Sequence, residues 1–331
     1  MKALLQSKKT WIFLFVIFTF VYPFITGQSG YLMTLFVMIA VYSITAMALN
    51  LLTGYGGQIS IGHAGFLAIG SYSVAILATK IGLPFFITLP LSGVITGIVG
   101  FIIALPAVRL SGHFLAVATL GFGLSIPQIA LNWDSLTGGY SGISLSRPNW
   151  LSTDLQFFYV VLVTTIFITW LFYNILKSRM GRAFIAIRES EIAAEATGVH
   201  LSFYKAIMFT ISAFFTGIAG GLYAYWFGFV SPNDFSVVTS FLLLGMIVVG
   251  GLASIPGAIV GAILFTVLPE LTSSFVGLTN IVIGVAVVLI ILFRPAGFIS
   301  IIDLFFRKEK VVLDTAHNHQ TVGGARSDVK L

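Results

Sequence analysis

Few residues in this 331-residue chain could do chemistry. Cys is absent, which excludes thiol catalysis, disulfides and Cys-based metal sites. No Gly-x-x-x-x-Gly-Lys-Ser/Thr phosphate loop occurs, so the chain does not hold ATP in that manner. His63 and His113 have no acids near them in sequence, and the pair His317 and His319 lacks the further ligands a metal needs. What remains is a neutral polar set, Asn50, Gln58, Ser60 and Gln128, together with His63. It contains no catalytic constellation, and the expected role is not enzymatic.

The elements that must position these groups are membrane helices. With 58% hydrophobic residues, 31 Phe and only 8% charged residues, the chain reads as an all-α polytopic membrane protein. The net charge of +6 comes from basic residues at the ends of apolar runs, where it sets orientation rather than nucleic-acid binding. Apolar runs at roughly 10–27, 31–52, 64–80, 85–106, 113–131, 155–176, 206–229, 236–253, 256–272 and 276–293 predict about ten crossings, within a range of 8–10. The first follows Lys2, Lys8 and Lys9 and ends near Tyr22 and Phe24, without the small-residue cleavage pattern of a signal peptide, so it reads as an anchor that is kept.

With a cytoplasmic N-terminus, all but Lys80 and Arg147 of the 17 Lys and Arg fall on the cytoplasmic side. Residues 132–154 then lie outside, as an interfacial loop carrying Trp133 and Trp150 or as a docking surface or gate. Residues 1–302 form the transmembrane domain. Residues 303–331, polar and without apolar periodicity, read as a disordered cytoplasmic tail.

Two stretches interrupt the apolar runs without any charge. Asn50 to Phe66 contains Gly54, Gly56, Gly57, Gly62 and Gly65 beside Asn50, Gln58, Ser60 and His63, and Gly250-Gly251 opens a second break ending at Gly257. The two share Gly-Gly-x-x-Ser-Ile. Irregular backbone in a membrane needs protein or an aqueous cavity to satisfy its N–H and C=O groups, and paired breaks commonly frame a transport pathway. These residues are the candidate translocation pathway, against a plainer reading as turns and helix contacts. Gly217/Gly221, Gly93/Gly97 and Gly257/Gly261 read as packing sites.

The charges gather instead in an island at 177–205, with Lys177, Arg179, Arg182, Arg188, Glu189, Glu191 and Glu195. Its second half predicts a short helix, with Ser190 as N-cap, Glu191 in the first turn and Gly198 in a left-handed C′ position. So short a helix does not stand alone in water, which points to another protein as its support. The apolar runs lack the internal ionisable groups that ion-coupled carriers use, so energy has to arrive from outside the chain.

Taken together, Ala48–Phe66, Gly181–Gly198 and Val249–Ala258 resemble the permease subunits of bacterial ATP-binding-cassette (ABC) importers for branched-chain amino acids, the LivM branch. One departure is Ile192, which separates Glu191 from Ala193-Ala194 where the general importer loop runs Glu-Ala-Ala. The resemblance implies the ABC importer permease fold and uptake of Leu, Ile or Val across the bacterial inner membrane, both termini being cytoplasmic. Urea, amides or other amino acids are carried by similar machinery; a stand-alone secondary carrier is the rival. It implies as partners a second, LivH-like permease, two ATPase subunits and an extracytoplasmic binding protein. ATP and Mg are then used by those ATPases, with no cofactor in this chain. Arg188, Glu189, Glu191, Ala193, Ala194, Glu195 and Gly198 become the ATPase-coupling residues.

Overall fold

A computed structural model of the chain describes residues 19–24, 27, 29–110 and 112–272, with isolated positions between 284 and 298. The elements are α1 (Gly30–Asn50), which runs on as a π-helical turn (Leu51–Tyr55), α2 (His63–Thr79), α3 (Phe85–Ala107) and α4 (Gly112–Asn132). They continue with α5 (Asp154–Lys177), α6 (Arg179–Glu189), α7 (Glu191–Ala196), α8 (Leu201–Phe227), α9 (Val237–Gly250) and α10 (Ile255–Thr272). Six of these helices are long and apolar enough to cross a membrane, and α2 and α9 are shorter apolar helices. The protein is a multi-pass membrane protein. The runs expected at 10–27 and 276–293 lie largely outside the described residues, and the 303–331 tail lies wholly outside them.

Lipid offers no hydrophobic drive for helices to associate, so close backbone approach and interhelical hydrogen bonds must hold the bundle. α8 supplies both. A Cβ on Gly70 of α2 would stand 2.3 Å from the Gly217 carbonyl oxygen, and one on Gly217 would stand 2.4 Å from Thr96 Oγ1 of α3. Across the same contacts Ser71 Oγ donates to the Gly220 carbonyl (2.8 Å) and Ser92 Oγ to that of Gly217 (3.3 Å). α8 is therefore gripped between α2 and α3. The Gly93/Gly97 pair faces Phe214 of α8, and the Gly257/Gly261 pair faces Gly250 and Met246 of α9. Both act as packing sites, as their spacing suggests. Aromatic contacts add α5, through Phe36–Phe158 (4.9 Å) and Phe172–Phe215 (4.6 Å).

Residues 132–154 form an ordered cap rather than an irregular loop. Helical turns at Asp134–Thr137, Gly139–Ser141 and Asn149–Leu151 flank β1 (Ile143–Ser144), which pairs antiparallel with β2 (Phe229–Val230), Ile143 opposite Val230. Arg147 ties the cap down. It donates to the carbonyls of Tyr225 (3.0 Å) and Trp226 (2.6 Å) at the end of α8, pairs with Asp154 (2.5 Å), and lies 4.7 Å over the Trp226 ring. A cation suits the unsatisfied carbonyls of a helix C-terminus. Trp133 and Tyr140 stay exposed, while Trp150, half-exposed, stacks on Phe86 at 4.8 Å.

Gly217→Ala inserts a methyl where Thr96 and the Ser92 carbonyl already stand. The purified variant is expected to lose about 1–3 kcal/mol of stability, read as a lower temperature for loss of monodisperse elution.

Candidate functional site

The two breaks meet at one side chain. Asn50, at the end of α1, donates from Nδ2 to the Ser254 carbonyl (2.9 Å) and, more weakly, to that of Gly251 (3.4 Å), while its Oδ1 accepts the Ala253 N–H (3.0 Å). An amide is the side chain that donates and accepts at once, which irregular backbone requires. Ala253 needs the support, since it alone among the described non-glycine residues has a positive φ, 56°. Gly54 makes room: a Cβ there would lie 1.9 Å from Asn50 Oδ1 and 2.5 Å from the Ala253 nitrogen. Tyr55 lies on the same side, within electrostatic reach of the Ile255 backbone.

The second break follows a helix too short to span a bilayer by itself. α9 has 14 residues, about 21 Å at 1.5 Å per residue, against a hydrocarbon core of about 30 Å. The motif shared by the two breaks differs in detail. In each, Gly-Gly ends a helix, but Ser254 directly precedes α10 and its Oγ accepts the Gly257 N–H (3.1 Å), whereas Ser60 lies three residues before α2 and its Oγ accepts the Gly62 N–H (3.5 Å) within the break.

His63 is a strut. Ser212 Oγ donates to the Ala48 carbonyl (2.7 Å), so His63 Nε2 donates to Ser212 (2.7 Å) and Nδ1 accepts from Ser60 (3.1 Å). A neutral imidazole with its proton on Nε2 satisfies every member, joining α1, α2, α8 and the first break. Gln58 is the opposite case. It is buried, yet its Oε1 and Nε2 have no hydrogen-bond partner among the described residues, an arrangement that costs about 1–3 kcal/mol per group.

The glycines divide by cause. Of Gly54, Gly57 and Gly62, all expected in non-helical backbone, Gly54 is helical, within the π turn, and Gly62 has φ −108°. Both are glycine because of close packing, Gly62 against the Thr119 carbonyl of α4 (2.3 Å from a Cβ). Gly57 has the left-handed φ, +68°, and rests on the Cα and Cγ of Arg188, 3.4 and 3.3 Å from a Cβ. Gly56 faces Met208, Gly65 faces Gly123, and Gly250 and Gly251 pack against Gly257 and Gly297.

That contact joins the first break to the charged island. α6 buries Gly181, Ala183, Phe184 and Ile187 and starts at Ser178, whose Oγ accepts the Met180 N–H. α7 has the expected caps: Ser190 Oγ accepts the Ala193 N–H (3.3 Å), and Gly198, at φ +86°, closes a Schellman motif with Gly198 N–H to Glu195 O (2.9 Å) and Val199 N–H to Ala194 O (3.0 Å). Ala194 is buried, while Arg188, Glu189, Ala193, Glu195 and Gly198 are exposed, and Ile192 is 84% exposed. Glu191, half-exposed, also has a partner within the chain. It pairs with Lys205 (2.7 Å), whose side chain is 5% exposed.

The profile of the family described as branched-chain amino acid transport system, permease component, matches residues 31–293. The chain belongs to that family. The permease is 31% identical to a high-affinity branched-chain amino acid transport system permease protein, LivM, of Salmonella typhimurium, over 88% of this chain and 75% of that one. It is 32% identical to LivM of Escherichia coli over the same shares. Against LivH of Salmonella typhimurium the identity is 27%, over 78% and 91%. No solved structure matches the chain.

Within the permease, Asn50, Gly54, Gly250 and Gly251 form one group, Ser60 and His63 a second, and Gly57 and Arg188 a third. Sequence reading missed Ser212 and Lys205, and it placed Ala253 and Ser254 in the second break without their partner Asn50; these act through partners more than a hundred residues away or, for Lys205, across a turn. An isolated Lys beginning an apolar run was the one available signal.

Asn50→Leu and Gly54→Ala both remove the clasp. Deuterium exchange of peptides covering 250–256 is expected to quicken in each, with α3 unchanged, as hydrogen bonds worth about 1–3 kcal/mol each are lost.

Proposed function

We propose that this chain is the membrane-spanning permease subunit of an ATP-driven importer, carrying Leu, Ile or Val inward across a bacterial inner membrane. The observation that carries the reading is the contact of Gly57 with Arg188, which couples the first break to the island bearing α7. α7 is a capped helix with an exposed Ile192 at its tip, a shape suited to a groove on another protein. A rigid shift of α6 and α7 would press on Gly57 and, through Tyr55 and Asn50, on both breaks at once. Such a lever suits alternating access driven from outside the chain.

The partners in this reading are two ATPase subunits, which bind and hydrolyse MgATP, a second LivH-like permease and an extracytoplasmic binding protein. Ten crossings follow if 10–27 and 276–293 each span once beside the helices described. With both termini cytoplasmic, α6 and α7 face the cytoplasm and the 132–154 cap faces out, placing Lys80 and Arg147 outside. The names of the relatives favour branched-chain amino acids over urea, amides or other amino acids as substrate. The absence of Cys makes the map directly testable. A single Cys at Tyr140, 80% exposed, is expected to react with an impermeant maleimide on intact cells, and one at Ile192 only after permeabilisation.

Gly198→Val forces a β-branched residue into positive φ and is expected to insert normally while losing uptake and substrate-stimulated ATP hydrolysis in the assembled complex. Glu191→Lys instead strips a buried lysine of its partner, and is expected to destabilise the chain itself. If Gly198→Val keeps parental uptake and ATPase co-isolation, α7 is not the coupling element.

A further inference from the structure

Where α5 ends and α6 begins, three cations gather at one helix junction. Lys177 is the last residue of α5, Arg179 the first of α6, and Arg182 lies about one turn further on. The Arg182 guanidinium donates to the Lys177 carbonyl across the junction (3.3 Å), and Lys177 Nζ stands 4.1 Å over the Tyr173 ring. A Cβ on Gly181 would stand 2.1 Å from the Leu176 carbonyl oxygen, so the two helices meet closely and the cations stay together. All three are exposed, and none pairs with a carboxylate among the described residues. The nearest acids in sequence are at the far end of α6 and beyond it, Glu189 and Glu191, and Glu191 pairs with Lys205. A second feature runs into this cluster. On α5 the exposed residues Val163, Phe167, Trp170 and Tyr173 recur at helical spacing along a face that ends at Lys177, with Trp170 stacked on Phe167 at 6.0 Å. α5 is long and apolar enough to cross a membrane, and such a face suits lipid chains, with Trp170 and Tyr173 nearing the headgroups.

The bland account is that the cations set orientation and that Arg182 caps the carbonyls at the end of α5. It explains their sign and one of the five donors of a guanidinium, and it leaves like charges gathered at one junction without an anion among them. A carboxylate on a docked protein would neutralise them but has no use for an aromatic stripe that continues about 15 Å along α5 at 1.5 Å per residue. An amphiphile with an anionic head uses both features. Its chains lie along the stripe, and its phosphate oxygens take the remaining donors of Arg182 together with Lys177 and Arg179.

The geometry points to a binding site for an anionic phospholipid, its headgroup held by Lys177, Arg179 and Arg182 and its chains by Val163, Phe167, Trp170 and Tyr173. The site lies at the junction from which the island bearing α7 projects, so a bound lipid braces that island against the bilayer surface. It does not depend on which solute the protein carries.

The test titrates the purified full-length protein, in neutral detergent, with phosphatidylglycerol and with phosphatidylcholine of the same acyl chains, reading bound lipid by native mass spectrometry and the melting temperature in parallel. The wild type is expected to bind phosphatidylglycerol about tenfold or more tighter than phosphatidylcholine and to melt higher in its presence. Lys177→Gln combined with Arg182→Gln is expected to weaken phosphatidylglycerol binding about tenfold or more and to leave phosphatidylcholine binding unchanged. Arg109→Gln removes an exposed cation just beyond the end of another crossing helix, α3, and is expected to bind both lipids as the wild type does. Equal binding of the two lipids by the wild type, or undiminished phosphatidylglycerol binding by the double variant, overturns the site. An equal loss in Arg109→Gln overturns it too, because general surface charge then accounts for the binding. Should the double variant fail to fold, Arg179→Gln decides, since that side chain has no hydrogen bond or ion pair among the described residues to lose. A severalfold loss there supports the site, and wild-type binding overturns it.

Discussion

A helix that stops inside a membrane leaves backbone groups that lipid cannot satisfy, and the rest of this structure depends on how the Asn50 amide answers that constraint. Donating to two carbonyls and accepting one N–H, it serves the second break from the end of α1. The breaks thus stabilise each other, and neither is a local feature. Gly54 is the steric condition for that arrangement, and Ala253, held at positive φ, is its consequence.

Around this junction the bundle is held by contacts of small reach. α8 presents Gly217 and Gly220 to α2 and α3 at distances that exclude a methyl group, and hydroxyls such as Ser71 and Ser212 bond across the gaps to carbonyls. Backbones so close transmit displacement, because a packed contact has no slack to absorb it. Gly57 extends the same principle to α6, where the backbone of Arg188 fills the space a side chain would need. The island bearing α7 is thus in direct contact with the first break, and the Glu191–Lys205 pair ties α7 to α8.

Polar groups that the fold leaves unsatisfied stand out against this background. His63, which the sequence places in the candidate pathway, is fully occupied in the chain from Ser60 to Ala48. Gln58 and Tyr72 are the buried side chains with free polar atoms among the described residues. They lie on different elements, one in the first break and one at the level of the Pro232–Phe235 turn.

Much of the architecture was legible in the residues. Eight of the apolar runs correspond to helices, because the length and polarity of a span are one-dimensional properties. The caps of α7 were legible for the same reason: Ser190 and Gly198 act within a few residues of their targets. The charge-free glycine runs marked both breaks. What each glycine is for was decided by tertiary structure, since Gly54, Gly57 and Gly62 look alike in sequence but face a side chain, a positive φ and a neighbouring carbonyl. The pairing of Asn50 with Ala253 and Ser254, of His63 with Ser212, and of Tyr72 with the turn bearing Asp234 likewise depends on helices that are distant in the chain. Local sequence sets how far an element runs and how it ends; which polar group meets which is set by packing between helices, where no periodicity carries the information.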